Sequence, residues 1–181
     1  MNEEIDFEWL SQHIHKKYPD IKMFSADATK FCFEERVNIN CFYCKNYDVN
    51  WKCLTCIPKI NYQNMMCEYE YGAFIKLELP FKKENFPEIR AKSTNDLHKI
   101  LLYMEKILWE HNRPMAISFI GGSCKLCKNG CGPERCNQPY STRIPFEATG
   151  VNVIKTMEEQ TGVKITFPPK DKLERIGLIL W

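Results

Sequence analysis

Four cysteines fall close together in the segment GGSCKLCKNGCGPERC, at the spacing Cys124-x2-Cys127-x3-Cys131-x4-Cys136. Gly121, Gly122, Gly130, Gly132 and Pro133 surround them. Glycine lets a backbone fold tightly around an inorganic core and aim its amides at the core's sulfurs. Four clustered thiolates match the ligand count of one [4Fe–4S] cluster, and the same four would suit a tetrahedral zinc. Zinc sites more often pair two Cys-x2-Cys knuckles across a longer gap. Only one such pair occurs here, so the spacing favours iron–sulfur. The order x2 then x3 is not the Cys-x3-Cys-x2-Cys of radical enzymes that use S-adenosylmethionine, and that chemistry has no support.

A second group lies earlier, in NCFYCKNYDVNWKCLTC, as Cys41-x2-Cys44-x8-Cys53-x2-Cys56. Two close Cys-x2-Cys pairs read as a cluster site or a zinc knuckle. Cys32 and Cys67 flank the group and are possible additional ligands. Cys32, between Phe31 and Phe33, reads first as a core cysteine acting as a small hydrophobe; for Cys67 both readings stand. Tyr43, Tyr47 and Trp51 either pack locally or shield a cluster from water and tune its potential. His13, His15, His98 and His111 read as surface residues rather than ligands. No Ser–His–Asp arrangement, P-loop or dinucleotide fingerprint is present. Lys16–Lys17 and Lys82–Lys83 read as solvated faces, or weakly as contacts for an acidic redox partner.

The totals narrow the setting. The chain is 44% hydrophobic and 27% charged, with a formal net charge of +2. That balance gives no general case for nucleic-acid or membrane binding. The opening MNEEIDFEWLSQHIHKK lacks the basic and apolar regions of a secretory signal. No run approaches the ~20 apolar residues that span a bilayer. The expected location is therefore the cytoplasm, where ten cysteines serve metal or redox chemistry rather than disulfides.

The elements that must carry these groups follow from periodicity. Residues 4–17 repeat Ile5, Trp9, Leu10 and Ile14 as an amphipathic helix ended by Pro19. A short strand is expected at 21–24, and an irregular strand pattern at Phe31, Phe33, Val37 and Ile39. GAFIKLEL, 72–79, is the clearest strand. Ser93 or Thr94 would cap a helix over 95–111, striped by Leu97, Ile100, Leu101, Met104, Ile107 and Leu108. A strand at 115–120 then leads straight into the second cysteine group. A helix at 151–160 and strands at 164–167 and 176–181 complete the pattern. Strand, helix and strand in sequence read as βαβ, with the cysteine loop leaving the C-terminal end of a strand, where sites are built in open sheets. The expected fold is α/β or α+β: a single domain over 1–181, a mixed sheet with flanking helices, and two cysteine-rich cluster-binding loops at about 41–67 and 121–139.

The cysteine groups resemble those of the predicted metal-binding family called domain of unknown function 2284, common in anaerobic bacteria and archaea. Its first motif, two cysteines and then Tyr-Gly-x-x-Trp-x-Cys-Pro-Pro, corresponds here to Cys41, Cys44, Tyr47, Trp51 and Cys53. Asp48 stands for the glycine and Leu54–Thr55 for the prolines, with Cys56 and Pro58 following. The second motif appears as Cys124, Cys127, Cys131, Cys136 and Pro139, then Arg143, Pro145, Glu147, Ala148, Gly150 and Val153. The likeness spans roughly 41–165 and implies bound metal, in all expectation iron–sulfur clusters, without naming a reaction. Arg143 and Glu147 would offset a cluster's charge, bind an anion, or form a local ion pair with the loop.

The leading expectation is an iron–sulfur protein with two [4Fe–4S] clusters, acting in electron transfer or as a redox accessory subunit beside a redox protein or enzyme partner. If only Cys41, Cys44 and Cys53 hold the first cluster, one iron stays open for Lewis-acid chemistry of the desulfidase or dehydratase kind. A structural zinc-binding interaction module is the third possibility. Oligomeric state has no signature in the sequence.

Overall fold

The computed structural model describes residues 4–181; the first three residues of the leader reading lie outside the described part. Helix α1 (Phe7–His15) follows an Asp6 cap whose side chain accepts from the Trp9 amide at 2.8 Å. Strand β1 (Lys22–Ser25) is followed by α2 (Glu35–Phe42), the first cysteine loop and a short α3 (Tyr62–Met66). Then come β2 (Gly72–Pro80), the long α4 (Phe86–Glu110), β3 (Ile117–Phe119), the second cysteine loop, α5 (Val153–Thr161) and β4 (Lys172–Leu180).

The sheet order is β1-β2-β4-β3, and every pairing between these strands is antiparallel. The architecture is therefore α+β. The strand–helix–strand unit β2–α4–β3 is present, and its strands do run parallel to one another. They are not neighbours, because β4 enters between them and pairs with both. A terminal strand that inserts between two others leaves no mark in local periodicity.

Side chains alternate across the sheet and fill two cores. On one face α1 and α4 bury Leu10, Ile14, Leu97, Leu101, Met104 and Leu108 against Ala73, Ile75 and Ile179. On the other, Phe31, Phe146, Val151 and Met157 pack on Phe74, Leu178 and Leu180. The second cysteine loop leaves the C-terminal end of β3, as the sequence led one to expect.

Four local readings change. Residues 35–42 are helical rather than strand-like, because α2 buries none of its residues and its apolar spacing records no core face. Helix α4 begins at Phe86, not near Asn95. Pro87 is tolerated in its first turn, and Ser93 and Thr94 lie inside the helix, bonding back to the Arg90 carbonyl at 2.9 and 3.2 Å instead of capping. Residues 164–167 form no strand; Pro168 and Pro169 cannot donate to a ladder, and the Thr166 amide is held by the Glu174 side chain at 2.9 Å. His98 is buried, not on the surface, its Nδ1 against the Thr94 carbonyl at 2.8 Å.

One buried carboxylate fixes the neck of the second cysteine loop. Glu105 of α4 accepts from the Ser118 amide at 2.9 Å and from its hydroxyl, just before the loop. It also takes the guanidinium of Arg143, just after the loop, with Nε–Oε1 at 2.7 Å. Backbone bonds Ile120 N–Ile144 O (3.0 Å) and Phe146 N–Ile120 O (2.7 Å) close the same neck. Removing one partner of a buried ion pair strands the other. Glu105→Ala is expected to cost about 3 kcal/mol in urea denaturation, and the double change Glu105→Leu with Arg143→Met clearly less; equal losses would show that the pair does not hold the neck.

Candidate metal centre

The first cysteine group is wound as successive tight turns. Cys44 N donates to Cys41 O at 3.1 Å, and Cys56 N to Cys53 O at 2.9 Å. Each Cys-x2-Cys pair is thus closed by its own turn. Cys41 lies in the last turn of α2, which sets the start of the loop. Tyr47 N–Cys44 O and Cys53 N–Asn50 O, both 2.9 Å, fold the intervening residues back between the pairs. Asp48 takes φ +55, a left-handed conformation. The resembled motif has glycine at this position; aspartate is one of the few residues that tolerates it.

The four thiols of this group and one of the other share a neighbourhood. Burial pushes the Cys53 thiol up to about 12, with Cys44, Cys41, Cys56 and Cys131 adding to the rise. Burial also pushes Cys41 up, helped by Glu147 and Cys44. Thiols held this way stay protonated unless a metal supplies the compensating charge, so the donor set fits a cation or cluster better than a free nucleophile. A cavity of about 150 Å³ is lined by Cys41, Cys44 and Cys53 on one side and by Gly122, Pro145 and Glu147 on the other. Tyr47 also lines it and stacks edge-on with Phe42, ring centroids 5.0 Å apart. Cys56 does not line this cavity.

The second loop is irregular, shaped by its glycines. Gly121 passes so near β4 that a Cβ would sit 2.3 Å from the Ile176 carbonyl oxygen, and one on Gly122 would sit 2.4 Å from Arg175 Nη1. Released from a side chain, the Gly122 amide reaches both oxygens of Glu147 at 3.2 and 3.1 Å. Burial pushes the Glu147 carboxyl up, and this amide and Arg175 pull it back. Arg143, by contrast, pairs with Glu105 rather than Glu147 and belongs to the loop neck.

The two loops are docked on each other. Trp51 Nε1 donates to the Gly132 carbonyl at 2.7 Å, Asn50 Nδ2 to the Cys124 carbonyl at 3.3 Å, and Asn46 Nδ2 to Ser123 Oγ at 3.1 Å. Asn46 also donates to Cys44 Sγ at 3.5 Å, and Gln138 Nε2 to Cys127 Sγ at 3.7 Å, contacts of the kind that tune a metal-bound sulfur. Asn46, Asn50 and Gln138 escaped sequence reading, since a lone amide in a polar loop carries no signature. Cys32 lies apart, its Sγ against Glu159 of α5 at 3.1 Å, and exposed Cys67 caps the end of α3. All ten cysteines are unpaired. Among the described residues no three His, Cys, Asp or Glu side chains form a group able to hold a single metal ion. No helix among them is long and apolar enough to cross a membrane.

Trp51→Phe keeps the ring and removes the bond between the loops. It is expected to lower stability by about 1 kcal/mol in denaturation and to speed loss of metal to a chelator; unchanged release kinetics would show that the bond does not fasten the loops.

No curated protein and no solved structure matches the chain. Residues 25–181, which carry both cysteine loops and strands β2, β3 and β4, match the family model described as predicted metal-binding protein (DUF2284), and the chain belongs to that family.

Proposed function

We propose that the chain is an iron–sulfur protein in which Cys124, Cys127, Cys131 and Cys136 hold one [4Fe–4S] cluster and Cys41, Cys44, Cys53 and Cys56 hold another, forming one double centre that exchanges electrons with a redox partner. The docking of the two cysteine loops through Trp51, Asn50 and Asn46 carries this reading. Thiolates on one tetrahedral zinc stand within about 4 Å of each other, as Zn–S bonds of about 2.3 Å require. Thiolates at the corners of a cubane are spread more widely, and Cys41, Cys44, Cys56 and Cys131 all act on Cys53. Exposed Ile39, Phe42, Tyr43 and Val49 around the first loop would meet the partner. Unpaired thiols suit a reducing compartment, and the cytoplasm is the proposed location.

One observation favours a second reading of the first site. Three cysteines line its cavity and Cys56 does not. A cluster with three protein ligands has an open iron, which supplies Lewis-acid chemistry when bound. The chain's own residues would then receive and orient a substrate there.

Anaerobically purified protein is expected to contain about eight irons and eight sulfides and to absorb broadly near ~400 nm, bleaching on reduction. A colourless preparation with stoichiometric zinc would sink both readings. Cys53→Ala should lose about half the iron, the content of one cluster. Cys56→Ala leaves the iron unchanged if one iron is open, and matches Cys53→Ala if the first site is closed by four cysteines.

A further inference from the structure

A larger cavity, about 710 Å³, opens beside the first cysteine group, with Cys41 and Cys44 in its wall. Its size lies within the range of small-molecule sites. Part of the wall is apolar: Val151, Ile154, Ile165, Phe167 and Leu173. The rest includes Arg36, Arg90, Arg175, Glu147 and Glu174.

The charges do not cancel. Arg36 is taken by Glu34 at 2.6 Å. Glu174 is taken by buried Lys76 at 2.6 Å and by Lys172 at 3.7 Å. Arg90 has no carboxylate within ion-pair distance among the described residues. Arg175 bonds only neutral groups, Ser93 Oγ at 3.0 Å and the carbonyls of Gly121 and Arg90 at 3.4 Å, which leaves part of its donor fork free. Burial pushes Arg175 down, with Arg90 adding to it. Glu147 offsets only part of this charge, and half-buried arginines short of counter-charge are costly unless something anionic completes them.

We propose that this cavity binds a small organic carboxylate, its head held by Arg90 and Arg175 and its hydrocarbon part lying on Val151, Ile154, Ile165 and Leu173. Two arginines against Glu147 leave about one net positive charge, which matches a monoanion rather than a phosphate dianion. A guanidinium fork grips a carboxylate in two-point fashion. The inference rests on the open-iron reading of the first site, for which it names the substrate class: the carboxylate anchors the molecule with its far end toward Cys41 and Cys44.

The test is calorimetric titration of the anaerobic, iron-loaded full chain with hexanoate, hexyl phosphate and hexylamine. Hexanoate is expected to bind saturably, more tightly than hexyl phosphate, and hexylamine not at all. Arg90→Gln should weaken hexanoate by about tenfold or more, the loss expected for one charge-assisted hydrogen bond, with partial recovery in Arg90→Lys. Iron content and circular dichroism of each variant confirm that it is folded. Absent binding of carboxylates from butanoate to octanoate, equal affinity in Arg90→Gln, or tighter hexyl phosphate overturns the proposal, even where Cys56→Ala retains its iron and the open-iron reading stands. If hexanoate binds through Arg90 while Cys56→Ala loses a cluster, the open-iron reading fails and the cavity assignment holds.

Discussion

Glu105 grips both ends of the second cysteine loop with a single carboxylate. Ser118 leads into the loop and Arg143 leads out, and both bond to this group where α4 crosses the sheet. A loop of more than twenty residues without regular structure would otherwise wander. With its neck closed, the position of four cysteines becomes a property of the sheet and the longest helix. The carboxylate is buried, so its hydrogen bonds are not diluted by water. The close pass of Gly121 and Gly122 over β4 follows from the same neck, and it delivers the Gly122 amide to Glu147.

The first loop depends on the second in turn. Helix α2 buries no residue, so little in the adjacent core holds Cys41 in place. The start of α2 is tied by the Glu34 amide to the Gly150 carbonyl at 3.0 Å, and the loop beyond it by the other loop: Trp51 on Gly132, and buried Asn50 on Cys124. Gly132 matters here because a side chain would meet the Arg135 carbonyl and Asn137. The two cysteine groups are therefore coupled mechanically. The larger cavity is enclosed where they meet the start of α4, β4 and the 163–169 segment, elements distant in sequence.

The sequence revealed the chemistry more readily than the architecture around it. Cysteine spacing is local, so both groups could be read directly, and the glycines around Cys124–Cys136 reported the tightness of that loop. The main strands were legible because Gly72–Leu79 and Ile176–Trp181 are dense in apolar residues. Their order was not, since the insertion of β4 between β2 and β3 is a long-range event. Helix α2 misled because it has no buried face to create a period. Arg143 and Glu147 sit four residues apart and invite pairing, yet Arg143 turns to Glu105 on α4 and Glu147 to a backbone amide. The arginines of the cavity escaped notice because Arg90 and Arg175 come from different elements and meet only in the fold.

The claim that both cysteine groups form one double centre is tested most directly by electron paramagnetic resonance of the fully reduced protein. Two clusters held on docked loops interact magnetically. The account predicts a spectrum broadened and split by spin–spin coupling, which collapses to a simple signal when Cys127→Ala and Cys131→Ala remove the second cluster. A fully reduced spectrum that is only the sum of two independent signals, or one with no cluster signal at all, would contradict it.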